Sequence, residues 1–180
     1  MTTQDPFFPT AAPDFSDPIG LLRACHERIF QHCDTLERLA THLSRQGADQ
    51  AFQEAAAKID RYFSTAAKHH HDDEEQDLFP RLARQSLKLA DAVHHLQQEH
   101  EQLDALWREI EPMLIRPAAI DDPEAFAARV KRFANTYRAH AAKENEDLFA
   151  IAQHSLSHEE LREMGRSMAE RRGVALPATY

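Results

Sequence analysis

Apolar residues recur at intervals of three and four positions along most of the chain, which is the period of an amphipathic α-helix. This pattern predicts four long helices, over residues 18–46, 50–79, 88–115 and 123–153. Ser16 or Asp17 caps the first helix, Pro18 takes its first position and Gly47 ends it. Pro80 marks a kink or the end of the second helix.

Four long helices with short links predict an all-α protein, folded as an up-down-up-down four-helix bundle. The length of 180 residues fits one such domain. We expect residues 1–15 to form an extended N-terminal arm and residues 16–156 to form the bundle. Residues 157–180 carry a capping box, Ser157 with Glu160, which predicts a short C-terminal fifth helix.

The bundle contains an internal repeat. A shift of 70 positions aligns the His-x-x-x-Glu pair and the Asp-Leu-Phe triplet of the second helix with those of the fourth, so that His70 falls on His140. A shift of 74 positions places His26 on His100 within a matching run of apolar residues. Each half is therefore a helical hairpin with one histidine on its first helix and a His-x-x-x-Glu pair on its second.

Six residues of this repeat are candidate metal ligands. They are His26, His70, Glu74, His100, His140 and Glu144. A His and a Glu four positions apart project in the same direction from successive helical turns, so both can bind one ion. All four histidines fall within the apolar stripes of their helices, and buried carboxylates need a compensating cation. We therefore expect two metal ions, each bound by two imidazoles and by both carboxylates. This ligand set favours iron and also accepts manganese or zinc.

At these residues the chain resembles the hemerythrin-like family, the His-His-Glu cation-binding domains. The resemblance covers about residues 17–153 and rests on the stretches DPIGLLRACHERI, HDDEEQDLFP, LQQEHEQL and HAAKENEDLF. It implies a non-haem di-iron centre in a four-helix bundle. The six residues above would supply the ligands, with Glu74 and Glu144 bridging the two iron ions beside an oxo or hydroxo group.

The third helix departs from the oxygen-carrying members of this family, which have a His-x-x-x-His pair there. In this chain Leu96 precedes His100 by four positions and Asp104 follows it by four. One histidine ligand is therefore missing. His71 is a candidate substitute, although we expect it to be solvated. Such an open site fits redox chemistry or metal handling better than reversible oxygen carriage. Tyr137 is expected either to line the pocket or donate a hydrogen bond there, or simply to pack in the core.

Several other polar residues near the repeat are expected at the surface. They are His32, His42, His69, His94, His95, His154, His158, Asp72, Asp73 and Glu75. Cys25 and Cys33 lie eight positions apart on one helix, too far along its axis to form a disulfide. We expect both cysteines to be buried thiols.

The charge of the chain limits the classes of partner that it is expected to bind. Its 21 basic and 30 acidic residues are interspersed and give a formal net charge of −9, which argues against general binding to nucleic acid or anionic lipid. No stretch has the apolar length of a membrane span, and MTTQDPFFPTAAPDF lacks the pattern of a signal peptide. We expect a cytoplasmic protein.

The sequence supports one leading function and two alternatives. The leading hypothesis is a di-iron protein that binds or reacts with O2, H2O2 or NO in oxidative or nitrosative stress defence or in iron homeostasis. The first alternative is a non-catalytic oxygen or iron sensor, store or carrier. The second is an interaction domain that holds zinc or no metal. The sequence does not separate an enzyme from a sensor, because both need the same ligands.

Overall fold

A computed structural model describes residues 14–176. The arm predicted over residues 1–15 lies outside this range except for its last two residues. Three of the helices are regular: α1 is Pro18–Gln46, α3 is Leu87–Ile115 and α5 is His158–Arg171. Two longer helical rods are interrupted by π-helical turns: α2 over residues 50–83 contains two, and α4 over residues 123–155 contains one. A 3-10 turn at Pro117–Ala119 lies in the link between α3 and α4.

The rods α2 and α4 have one π turn in common and differ in a second. In α2, α-helical segments Gln50–Arg61, Ala67–Asp73 and Phe79–Ala83 alternate with π turns Tyr62–Ala66 and Glu74–Leu78. In α4, a π turn at Glu144–Leu148 separates the α-helical segments Pro123–Lys143 and Phe149–Ser155. Glu74 and Glu144, which the repeat aligns, therefore each begin a π turn at the same place in the two halves.

Of the two outcomes expected at Pro80, a kink or the end of α2 near Phe79, the structure contradicts the end. The helix continues to Ala83. The preceding π turn, in which the Phe79 N–H bonds to the Glu74 carbonyl, has already interrupted the regular pattern of helical hydrogen bonds. Proline lacks an N–H, so it is tolerated where that pattern is broken.

The first four helices form the predicted up-down bundle. Helix α1 packs against α2 and α4, and α3 packs against the same two helices. The connecting segments are short, so neighbouring helices run antiparallel. The predicted capping box is present, with the Ser157 hydroxyl accepting a hydrogen bond from the Glu160 N–H at the start of α5. Helix α5 packs across α1 and α2. Among residues 14–176 no helix is both long enough and apolar enough to cross a bilayer.

The core of the bundle is divided into two apolar clusters. One contains Ile29, Leu103 and Phe133. The other contains Leu22 and Leu96 and extends under α5. On α1 and α3 the candidate histidines lie between residues of the two clusters, so a polar layer separates them. Metal ligands in this layer would be shielded from water by apolar residues on both sides.

Candidate metal centre

The structure brings all six candidate ligands together in the layer between the two apolar clusters. Each is buried, with at most 2% of its surface exposed. His26 and His100 come from α1 and α3, where side chains three and four positions away belong to the core. The two His-x-x-x-Glu pairs come from α2 and α4. In both pairs the imidazole and carboxylate meet across one turn: Nε2 of His70 lies 3.4 Å from Glu74, and Nε2 of His140 lies 3.2 Å from Glu144.

The ligand atoms fall into two overlapping groups that share both glutamates. The first group is His26, His70, Glu74 and Glu144, and the second is His100, His140, Glu74 and Glu144. Within each group, one atom from every residue lies within 4.8 Å of the others. Glu144 Oε2 is 3.2 Å from Nε2 of His26, and Glu74 Oε2 is 3.4 Å from Nε2 of His100. Each carboxylate therefore approaches histidines of both halves, as a bridging ligand must.

Polar side chains outside the set orient three of the four imidazoles. Nδ1 of His100 lies 2.7 Å from Glu75 Oε1, and Nδ1 of His140 lies 2.9 Å from Glu99 Oε2. Nδ1 of His26 lies 3.0 Å from Asn145 Oδ1. Carboxylate and amide oxygens accept hydrogen bonds, so in each case Nδ1 carries the proton and donates it. The Nε2 lone pairs of these imidazoles are then left for a metal ion, which is the usual role of such outer partners.

The closest contact between ligand atoms also fits a bound metal ion. Nε2 of His100 and Nε2 of His140 are 3.0 Å apart. Because both Nδ1 atoms donate to carboxylates, two neutral imidazoles would direct two lone pairs at each other. Two nitrogens bound at right angles to one ion, each about 2.1 Å from it, would be separated by about 3 Å. The observed separation therefore fits two ligands of a single metal ion.

Buried polar atoms without hydrogen-bond partners also indicate a metal site. Both carboxylate oxygens of Glu74 and of Glu144 are buried without a hydrogen-bond partner among the described residues, as are Nε2 of His26 and both ring nitrogens of His70. Buried polar atoms are ordinarily paired, and unpaired carboxylates are especially costly. Metal ions in the two ligand groups would satisfy the carboxylate oxygens and the Nε2 atoms, but not Nδ1 of His70, so the residues present fit a two-metal centre.

Burial and neighbouring charges shift the protonation of the ligands in different directions: the pKa values of His70 and Glu144 are lowered, which suits metal binding, and those of His140 and Glu74 are raised. Desolvation lowers the pKa of His70 well below its usual value, and the neighbouring His26 lowers it further. His70 is therefore neutral and able to coordinate. Desolvation and, after it, the charge of the adjacent Glu144 carboxylate raise the pKa of Glu74 well above its usual range, which favours its protonated form in the absence of a metal ion. Two carboxylates so close repel each other, and divalent cations would relieve that repulsion.

His71 lies beside the centre but has another partner. Its Nε2 is 2.7 Å from the Tyr137 hydroxyl, and its ring stacks on the His100 ring with centroids 3.9 Å apart. One ring nitrogen of His71 also lies within 4.8 Å of a ring nitrogen of His100 and of one of His140. His71 is only partly buried, so coordination by it remains a prediction. Tyr137 is buried in the core and also bonds to His71 beside the centre, so the two roles expected of it coexist.

Two residues assigned to the surface make specific contacts in the structure, and one of them is buried. Asp73 is fully buried and forms ion pairs with Arg171 and Arg172 near the end of α5. Glu75 is exposed, as expected, yet its carboxylate holds His100. The sequence reasoning missed Asp73 because its partners are about a hundred positions away. The repeat could have indicated Glu75, since Glu75 and Asn145 directly follow the two aligned glutamates.

The cysteines only partly match their prediction. Neither forms a disulfide, and Cys33 is fully buried. Cys25 is only partly buried. In the repeat Cys25 aligns with Glu99, because each directly precedes the candidate histidine of its helix. Glu99 orients His140, whereas Nδ1 of His70, the aligned imidazole of the first half, has no hydrogen-bond partner among the described residues. The two halves of the centre are therefore not equivalent.

Comparison with known proteins supports the same kind of site. The model of the hemerythrin HHE cation-binding domain matches residues 17–152, which contain all six candidate ligands. The chain belongs to this family. A relative from Haemophilus influenzae, described only as an uncharacterized protein, is 32% identical over 160 residues, which cover 89% of this chain and 92% of the relative. The hemerythrin-like domain with its buried His and Glu cluster indicates a metal-binding protein.

Proposed function

We propose that this hemerythrin-like protein holds two iron ions and binds or reacts with O2, H2O2 or NO in oxidative or nitrosative stress defence or in iron homeostasis. The observation that carries the proposal is the sharing of Glu74 and Glu144 by two ligand groups, each completed by two imidazoles. This set of nitrogen and oxygen donors suits iron, with manganese and zinc as weaker candidates. No thiolate lies in either group.

Iron bound here would supply Lewis acidity and electrons. The chain's own residues prepare the site for that chemistry. Glu75, Glu99 and Asn145 fix three imidazoles with Nε2 directed inward. The two glutamates can bind both ions and keep them close together. The apolar clusters on both sides exclude bulk water, which strengthens electrostatic interactions within the site.

A small molecule could approach where the ligand set is least complete. The oxygen carriers have a second histidine four positions from the first on the third helix, but in this chain Leu96 and Asp104 occupy the positions four before and four after His100. Leu96 belongs to the apolar cluster beside the centre. His71 is the nearest additional imidazole, and it is held by Tyr137. An ion with fewer protein ligands has positions left for an exogenous one, which supports reaction with a small oxidant in addition to its storage or transport.

The metal content and the near-ultraviolet and visible spectrum of protein purified in air test the proposal first. About two irons per chain with charge-transfer bands of an oxo-bridged pair are expected. Zinc, or an absence of bands after anaerobic iron loading, would contradict the choice of metal.

Turnover of peroxide and of NO then separates the two classes of function. Oxygen evolution from peroxide by the iron-loaded protein, lost in His70→Ala and retained in His94→Ala at an exposed position, is expected of a reactive centre. Iron loading that raises the melting temperature without any turnover would favour a sensor, store or carrier.

A further inference from the structure

A cavity of about 280 Å³ lies between α2, α3 and α4, next to the candidate metal centre. Aromatic rings form much of its wall. Phe63 is 4.8 Å from Trp107 and 5.0 Å from Phe133, measured between ring centroids. Leu103 and Ala67 add aliphatic surface. Ligand sites are typically concave and mostly apolar with a few polar groups, and this volume is near the lower end of their range, enough for one substituted ring.

Polar groups of this cavity lead to the metal centre. Tyr137 and His71, joined by their 2.7 Å hydrogen bond, both line it. The Tyr137 hydroxyl can make one more hydrogen bond besides this one. His71 in turn stacks on His100, a candidate ligand of the second ion. A molecule with a hydroxyl group at this end of the cavity would therefore be one hydrogen bond and one stacked ring away from the centre.

The charges at the mouth of the cavity indicate a neutral ligand. Lys68 and Arg108 supply two positive charges, and Asp104 and Glu111 supply two negative ones. These charges balance, so the mouth favours neither an anionic nor a cationic molecule. An aromatic ring would gain from contact with the surrounding rings beyond the burial of its area.

We propose that this cavity binds a small neutral monocyclic phenol, with its ring against Phe63, Trp107 and Phe133 and its hydroxyl bonded to Tyr137. A molecule bound there would influence the neighbouring centre through Tyr137, His71 and His100. That influence rests on the proposed function, whereas binding to the cavity does not require metal.

Ligand titration of the metal-free protein tests the binding. The fluorescence of Trp107, the single tryptophan of the chain, reports occupancy, and calorimetry provides a second readout. The probes are 4-methylphenol, toluene without the hydroxyl and 4-methylcyclohexanol without the aromatic ring. We expect 4-methylphenol to bind at least about fivefold more tightly than either comparison compound. Equal binding of all three, or no binding of 4-methylphenol at millimolar concentrations, would overturn the proposal.

Matched variants locate the site. Ala67→Leu fills the cavity and should weaken 4-methylphenol binding at least about tenfold, whereas Ala66→Leu, on the neighbouring exposed residue, should not. If Ala67→Leu lowers the helical content, Ser64→Phe at the mouth and Thr65→Phe beside it provide a second pair that keeps Trp107 as the single tryptophan. Tyr137→Phe should remove the preference for 4-methylphenol over toluene. Unchanged binding in the folded cavity variants would place the phenol elsewhere and contradict the proposal.

The metal measurement separates the two proposals. Phenol binding to the cavity together with a failure to load iron would refute the proposed function alone. Iron loading without phenol binding would refute this inference alone. When both hold, 4-methylphenol should perturb the charge-transfer bands of the loaded protein through His71 and His100, and Tyr137→Phe should reduce that change. Spectra that do not respond to saturating phenol would contradict its link to the centre.

Discussion

Glu75 Oε1 lies 2.7 Å from Nδ1 of His100, so a residue of the first half of the repeat orients a candidate ligand of the second. The converse contact joins Asn145 of the second half to His26 of the first, at 3.0 Å. The two halves therefore support each other's imidazoles, and the centre depends on correct pairing of the hairpins.

The first prediction concerns the contact between Glu75 and His100. Glu75→Ala should weaken metal binding by about 10–100-fold, because His100 loses the partner that fixes its tautomer and ring orientation. Competition with a chelator of known affinity measures the change. Glu101→Ala removes a nearby exposed acidic side chain without such a contact and serves as the control. Equal affinities of the two variants would show that Glu75 does not support the centre.

The second prediction concerns metal stoichiometry. His70→Ala should leave the group formed by His100 and His140 with both glutamates, so about one ion per chain should remain instead of two. Glu144→Ala removes a member of both groups and should retain less than one. Metal analysis after loading and desalting checks both values. Full occupancy of the Glu144 variant would show that this carboxylate does not bridge.

The third prediction concerns the attachment of α5. Asp73 is buried beneath Arg171 and Arg172, and its Oδ2 lies 2.6 Å from Arg172 Nη2. Asp73→Ala should lower the free energy of unfolding by roughly 1.5–3 kcal/mol, the usual value of hydrogen bonds to charged groups. Asp72→Ala, one position away and outside this ion-pair network, should change it by less than about 0.5 kcal/mol. Denaturant unfolding of the metal-free proteins measures both. Equal losses of unfolding free energy in the two variants would show that the ion pairs of Asp73 do not stabilise the protein.

The fourth prediction concerns the two thiols. Burial raises the pKa of Cys33 to about 12, so at pH 8 this side chain is protonated and inaccessible. Burial also raises the pKa of Cys25, but that side chain is partly exposed. A thiol reagent should therefore modify one cysteine slowly in the native protein and the second only on unfolding. Cys25→Ser should remove the native phase, and Cys33→Ser should preserve it. The reverse result would contradict the burial of Cys33.

Much of the fold follows from local sequence features. The predicted ends of α1 hold because Asp17 caps its first turn and Gly47, with a positive φ of 78°, ends it. The predicted end of α2 was wrong because Pro80 was taken to break the helix, without knowledge of the π turn that precedes it. Such a turn depends on packing in the bundle and has no local sequence signal comparable to that of a cap.

The sequence by itself determined the all-α bundle, its duplication and the six residues at the core of the candidate centre, because helical periodicity fixes which side chains face inward. Tertiary structure decided how those residues are supported: Glu75 on His100, Asn145 on His26 and Asp73 beneath α5. It also formed the aromatic cavity beside His71. These contacts join different helices, and their partners depend on helix rotation and register, which periodicity within one helix does not specify.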